Sequence, residues 1–245
     1  MMIPWLETDA PFPPTREALG PETEAPGLLA ASQGLTVERL QQAYRMGIFP
    51  WFSPGQPALW WSTDPRMVLP TAELKVSRSM RKALRKFRDD PTCEVRVDHR
   101  FDAVIQACAQ TEREGQSGTW IVKDIQNTYR AWHDIGSVHS FETWRNGQLV
   151  GGLYGVNLGR MFFGESMFAW ETDASKIALA ALVCFCLDNQ IELIDCQQET
   201  RHLASMGARP WPREQFEAHL RGVVDLPPPK NWSYDRSLWR YVLAE

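Results

Sequence analysis

The dipeptide Asn146-Gly147, set between HSFETWR and QLVGGLYGV, constrains this chain more than any other feature. Both residues accept the left-handed backbone that a two-residue hairpin turn demands, so two antiparallel strands are expected to meet there. A third strand, MFFG, follows Gly159, and a loop then runs through Glu165. The apolar run IALAALVCFCL marks a helix over 174 to 189, and IELIDCQ reads as a further strand. Antiparallel strands followed by a crossover helix and another strand predict a mixed, mainly antiparallel sheet flanked by helices. A short helix at 200 to 206 and one starting near Pro212 complete it.

Upstream, Pro4, Pro11, Pro13, Pro14, Pro21 and Pro26 predict an irregular arm. Thr36 then caps a short helix ending at Gly47, with Leu35 and Leu40 placed as a hydrophobic staple. A Pro-rich aromatic loop, IFPWFSPGQPALWWSTDPR, is expected next, since prolines at 50, 54, 57 and 65 forbid a regular helix. Its Phe49, Trp51, Phe52, Trp60 and Trp61 call for burial or a ligand. These features divide the chain into a small N-terminal α/β domain, 1–64, and a larger one, 65–245, an α+β organisation.

Ser77 caps a helix whose Met80, Leu84 and Phe87 share one face. Its other face carries Arg78, Arg81, Lys82, Arg85, Lys86 and Arg88, with Lys75 just ahead. A charged face is ordinarily just solvated, yet seven cations with no intervening acid suit a polyanion. CEVRVDH alternates as a strand, and Phe101, Val104, Ile105 and Cys108 mark the helix after it. A Gly-rich loop, EGQSGTWI, leads to a helix near 124 to 135 whose Ile125, Tyr129 and Trp132 face the core and which Gly136 closes.

The whole-chain balance of −4 does not announce a nucleic-acid binder, so any such contact is local. Five cysteines form an odd set without paired zinc spacing, which fits a reduced, cytoplasmic protein. The start lacks the pattern of a secretory signal, and the apolar run at Ile177 to Leu187 is too short to cross a bilayer. Five scattered histidines show no metal-ligand spacing, so no metal is expected.

Three polar side chains stand out in apolar company: Glu165, Asp195 and Gln197. Residues two apart in a strand share a face, so Asp195 and Gln197 project together while Cys196 points away. Asp195 is either a cap or a carboxylate aimed into a cleft; the chain's remaining acids read as superficial. Glu165 needs a partner, either Arg160 or a cationic ligand. A Cys196–His202 pair is a weaker alternative, since buried cysteines are more often inert. Phe162, Phe163, Met167 and Phe168 suit either plain core or an adaptable apolar chamber. Gly151, Gly152 and Gly155 lack phosphate-loop spacing and point to a bulge or a close backbone approach.

Taken in order, GIFPWF, LWWSTDPR, SRSMRK, GTWI, GGLYG, FGESMF, SK at 175 to 176 and IDCQ closely resemble the bacterial leucyl/phenylalanyl-tRNA–protein transferases, over roughly residues 20 to 225. The resemblance implies a GNAT-like acyltransferase domain, no prosthetic group or metal, and a cytoplasmic location. It implies transfer of Leu, Phe or Met from aminoacyl-tRNA to the α-amine of proteins beginning with Arg or Lys, marking them for degradation by the N-end rule. Asp195 and Gln197 match the proposed catalytic pair, and Glu165 a carboxylate that holds the acceptor. Trp51 and Trp120 match aromatics near the terminal adenosine; Phe162 and Met167 match walls of the aminoacyl pocket. Leu153 and Cys186 stand at pocket positions where another member has methionine and phenylalanine. The tail from about 222 onward matches poorly. An acyl-CoA-dependent acetyltransferase and a non-enzymatic RNA-binding module remain the competing readings.

Overall fold

A computed structural model describes residues 3–111 and 119–243. Its strands are β1 (Trp5–Leu6), β2 (Leu28–Ser32), β3 (Phe49–Pro50), β4 (Ala58–Trp61), β5 (Arg66–Pro70), β6 (Cys93–Val97), β7 (Val138–Arg145), β8 (Gln148–Leu158), β9 (Met161–Ala169), β10 (Leu193–Gln197) and β11 (Arg209–Trp211). The α-helices are α1 (Val37–Arg45), α2 (Arg78–Asp89), α3 (Phe101–Gln110), α4 (Lys123–Asp134), α5 (Ala174–Asp188), α6 (Arg201–Ser205), α7 (Arg213–Val223) and α8 (Arg240–Leu243).

The expected turn joins β7 to β8, with Asn146 and Gly147 at φ 50° and 70°. It nucleates a seven-stranded sheet ordered β11-β5-β10-β9-β8-β7-β6, in which every neighbouring pair is antiparallel except β9 and β10. That parallel pair is the product of the α5 crossover. Eleven of the helix's residues are buried, as an apolar circumference requires. The β8–β9 register shifts at Tyr154 and Gly155, and a Cβ on Gly155 would collide with the Phe163 carbonyl and the Phe162 ring. The glycines thus serve a bulge and a close approach, as their spacing suggests.

The local signals hold elsewhere too. Thr36 accepts from the Arg39 amide, and Gly47, at φ 74°, turns the chain so that the Ile48 amide reaches back to Ala43 O at 2.9 Å. Ser77 accepts from the Met80 amide, with Met80, Leu84 and Phe87 buried. Ile125, Tyr129 and Trp132 are buried on α4, and Gly136 ends it.

Three expectations are corrected. The arm is not wholly irregular: β1 and β2 join β4 and β3 in a second sheet ordered β1-β2-β4-β3, because Trp5 and Leu6 pair with residues of β2, and Leu28 pairs with Trp61 of β4. The aromatic segment supplies β3 and β4, burying Trp60, Phe49, Phe52 and Trp61. Finally, β9 does not end at MFFG; it continues to Ala169, paired with β8 on both sides of a bulge at Glu165. The Gly-rich segment before Trp120 lies outside the described residues for positions 112–118.

Two apolar clusters cover the faces of the large sheet. One gathers Leu40, Tyr44, Trp60, Tyr129, Trp132 and Phe163, merging the small sheet with α1, α3 and α4. The other gathers α5 with Leu84 and Phe87 of α2, Leu153, Phe162 and Trp239. Among the described residues no helix is long and apolar enough to cross a membrane.

Candidate active site

The parallel strands β9 and β10 pair only at Phe162–Ile194 and Phe163–Asp195; beyond that rung they part. The notch they leave sits beside Gly164, where a Cβ would lie 3.4 Å from Asp195 O. Glu165 stands on one lip and Gln197 on the other.

Asp195 is fully buried and held in a two-pronged ion pair: Arg66 Nε donates to Oδ1 at 2.8 Å and Nη2 to Oδ2 at 2.6 Å. Arg66 is itself buried, spends its remaining arm on Gly47 O at 3.0 Å, and lies between the Phe49 and Phe216 rings. A carboxylate with no water must be matched in this way. The picture of Asp195 as a carboxylate facing a cleft is therefore overturned. It has a different duty: Oδ1 also accepts the Gln197 backbone amide at 2.9 Å.

That bond matters because Gln197 adopts a left-handed backbone, φ 52°, where the β5–β10 register slips. Such a conformation costs about 1–3 kcal/mol and persists only where its surroundings fix it. Here Asp195 holds the amide, and Thr63 Oγ1 donates to the Gln197 carbonyl at 3.2 Å. The expected strand alternation thus fails at this residue. The Gln197 side chain instead reaches across the notch and donates through Nε2 to Glu165 Oε1 at 3.2 Å.

Glu165 is ringed by donors. Tyr44 Oη gives a hydrogen bond to Oε1 at 2.6 Å, Tyr129 Oη reaches Oε2 at 3.3 Å, and the two hydroxyls lie 2.5 Å apart. Burial pushes this carboxyl up to about 8, against the lowering effect of the Tyr44 hydrogen bond. Burial and the Glu165 charge together hold both tyrosines protonated, so they remain donors. The Arg160 alternative is excluded, because Arg160 is committed to Pro227 O, Asn189 O and Gln190 Oε1, each at 2.8 Å.

Burial raises the Cys196 thiol far above its usual range, with the Asp195 charge adding to it, and burial lowers His202. No thiolate–imidazolium pair can form from these two at neutral pH. Glu142 departs from the expectation of superficial acids: it is fully buried, accepting from Ser140 Oγ, the Arg100 amide and Trp144 Nε1.

The remaining candidates divide between the faces. Leu153, Phe162 and Cys186 are buried in one cluster, with Met167 half-buried against it. Trp51 and Trp120 are half-buried against the other, the face of the two tyrosines, and Trp51 meets Trp61 edge to face at 5.4 Å. On α2, Lys75, Arg78, Lys82, Arg85 and Lys86 are exposed, whereas Arg81 donates to Val242 O at 2.9 Å and Arg88 pairs with Asp89 at 2.8 Å. Among the described residues no cluster of potential metal ligands occurs. Sequence reasoning missed Arg66 and Tyr44. The one signal for Arg66 was the need of an aspartate in an apolar strand for a cationic partner.

Fold and site define an α+β protein whose central groups are preorganised hydrogen-bond donors and a carboxyl titrating near neutrality, in a notch beside an apolar cluster. Residues 34–64 match the family model for the leucyl/phenylalanyl-tRNA protein transferase N-terminal domain, and residues 68–221 that for leucyl/phenylalanyl-tRNA protein transferase. Proteins named leucyl/phenylalanyl-tRNA–protein transferase from Leptothrix cholodnii and Methylibium petroleiphilum are 66% and 62% identical, covering 97% of this chain and 94% and 90% of their own lengths. The one from Cupriavidus necator is 60% identical over 97% of this chain and 95% of its own. The chain belongs to the leucyl/phenylalanyl-tRNA–protein transferase family, a family of aminoacyltransferases. Among solved structures, a GCN5-related N-acetyltransferase-like protein from Streptococcus suis matches with a TM-score of 0.33 at 13% identity, over 67% of this chain and 59% of its own. The structure of L-PGS from Bacillus licheniformis matches with a TM-score of 0.34 at 10% identity, over 87% and 65%.

Proposed function

We propose that this protein transfers leucine, phenylalanine or methionine from aminoacyl-tRNA to the α-amine of proteins beginning with arginine or lysine. The modification would mark those proteins for degradation by the N-end rule in the cytoplasm. The observation that carries the reading is the Gln197–Glu165 contact across the β9–β10 notch, in a chain of this family.

In the reaction, the amine nitrogen bonds to the ester carbonyl carbon, the bond to the ribose oxygen breaks, and the proton shed by the amine ends on that oxygen. An α-amine titrates near 8, so a useful neutral fraction exists at cellular pH, and the site chiefly has to orient it. Gln197 offers the amide oxygen that receives the amine, with its Nε2 tied to Glu165. Asp195, both of whose oxygens are engaged by Arg66, fixes the Gln197 backbone. This favours an orienting role, with a ribose hydroxyl of the terminal adenosine relaying the proton.

Glu165 receives the guanidinium or ammonium of the acceptor's first residue through charge-assisted hydrogen bonds. Leu153, Phe162, Met167 and Cys186 house the aminoacyl side chain; Trp51 and Trp120 flank the terminal adenosine. The basic face of α2, Lys75, Arg78, Lys82, Arg85 and Lys86 foremost, grips phosphates of the acceptor stem. Residues 1–64 and 65–245 act as two domains that share a core, the first supplying Tyr44 and Trp51. The test is incubation with radiolabelled leucyl-tRNA and a peptide starting with arginine. Peptide-bound label is expected; no label with either leucyl- or phenylalanyl-tRNA would refute the reading.

A further inference from the structure

The tail beyond α7 lies outside the family-matched residues, yet it sends large side chains back into the molecule, Trp232 and Trp239 among them. Trp232 packs against the apolar cluster that holds Leu153, Phe162, Met167 and Cys186. Its ring stacks on His139 with centroids 3.4 Å apart and planes 7° apart, and on Phe185 at 4.7 Å and 30°. It meets Phe162 at 6.3 Å and Phe141 at 6.4 Å. Those contacts place it beside two of the four chamber residues: it meets Phe162 directly, and Phe141 stands opposite Leu153 in the β7–β8 ladder.

The ring is held in place from behind. His139 is buried, its Nδ1 lies 2.7 Å from Asp98 Oδ2, and its Nε2 lies 3.2 Å from Gly136 O, so the imidazole cannot swing and the indole lying on it is fixed in plane. Asp98 is itself pinned by accepting the Ser140 amide at 2.7 Å. Direction along the sheet completes the argument. In β9, Met167 lies on the notch side of the cluster and Phe162 five residues away, roughly 16 Å at strand rise. Trp232 adjoins the Phe162 end, opposite the opening by Glu165.

We propose that Trp232 is the floor of the aminoacyl side-chain chamber and limits the length of side chain that the enzyme transfers. The inference rests on the chamber assignment above and gives the tail a role in specificity. An indole floor is rigid and wide, so a side chain that fills the space down to it is accepted and a longer or bulkier one is turned away. Room for added methylenes in an apolar pocket changes discrimination by roughly 10- to 200-fold.

The test compares Trp232→Phe and Trp232→Leu with wild type, using tRNA charged with leucine, phenylalanine or the bulkier 2-naphthylalanine and an Arg-initiated peptide. The expected result is a rise of about tenfold or more in the kcat/KM ratio of naphthylalanine to leucine, larger for Leu than for Phe at position 232. Equal losses for all three donors, or an unchanged ratio, would overturn the proposal and leave Trp232 as a tail anchor. Should Trp232→Leu not fold, Trp232→Phe, which keeps an aromatic ring to lie on His139, decides alone. If wild type itself transfers none of the donors, the proposed function fails instead, and the two failures are distinct.

Discussion

Glu165 and the Arg66–Asp195 pair lie on one face of the large sheet and are linked through Gln197, yet their charges are met in opposite ways. Glu165 titrates near 8 in the fold against an ordinary 4.5. Between these values the native state binds more protons than the unfolded chain, so stability falls as pH rises through that window, by up to about 1.4 kcal/mol per pH unit. Glu165→Gln removes the titration while keeping the shape of the neutral acid. Urea unfolding should therefore show the variant's stability rising relative to wild type from pH 5 to pH 8, with no further gain above it; a relative stability that stays flat or falls over that range would defeat the burial account. The same variant should transfer to Arg-initiated peptides roughly tenfold to a hundredfold less well, the worth of a hydrogen bond to a charged group, while its affinity for charged tRNA holds. Parallel loss of both would make Glu165 architectural.

The buried pair behaves differently. Removing one partner strands a charge, so Asp195→Leu, which also removes the acceptor for the Gln197 amide, and Arg66→Met should each cost about 3–5 kcal/mol, and the double variant much less than their sum. Denaturant titration of the four proteins measures the coupling. If Asp195 serves to hold the strained Gln197 amide, the double variant regains stability but not transfer. Recovered transfer would show that Asp195 merely neutralises Arg66.

Helix α2 separates an apolar face from a basic one. Ser77 caps it, its apolar stripe locks to the cluster beneath, and what remains outside is four exposed cations, Arg78, Lys82, Arg85 and Lys86, with Lys75 just ahead of the cap. Each phosphate contact released should reduce the slope of log affinity against log salt by about 0.7–0.9. Alanine at Lys82 or Arg85 should lower the slope for aminoacyl-tRNA by that amount. Alanine at Arg81, which is spent on Val242 O, should lower stability and leave the slope alone. Equal slopes for all three variants would move the tRNA contact off this helix.

Helix α2 also illustrates what can be read in advance. Ser77, Thr36, Gly47, Gly136 and Asn146-Gly147 act within a few residues of themselves, so caps, ends and the hairpin were legible. Contacts that close over long separations were not. Arg66 and Asp195 are 129 positions apart, Tyr44 and Glu165 are 121 apart, and β2 pairs with β4 across the intervening α1 and β3. The left-handed Gln197 was hidden for another reason: nothing in the residue type prefers that backbone, and only Asp195 and Thr63 stabilise it. The polar trio was visible as acids and an amide in apolar company, whereas its wiring depended on tertiary pairing.

For the whole molecule, the question is whether the two sheets are independent. Their strands do not pair, and the family models divide between residues 64 and 68. Yet one apolar cluster runs from Leu6, Trp60 and Tyr44 through to Val68, Tyr129 and Phe163, and Arg66 binds the end of α1 to β10. A domain without this shared face would expose Tyr44's partners and leave Glu165 without its shorter hydrogen bond. The core therefore predicts a single cooperative transition: far-UV circular dichroism, which reports the helices and the large sheet, and tryptophan fluorescence, which reports rings on both sides of residue 64 such as Trp60, Trp61 and Trp132, should give one midpoint and one slope in urea. Two separated transitions, the earlier reported by fluorescence, would mean that residues 1–64 fold and melt by themselves. The site would then depend on docking between domains, and transfer activity would disappear with the first transition while most of the helical signal remained.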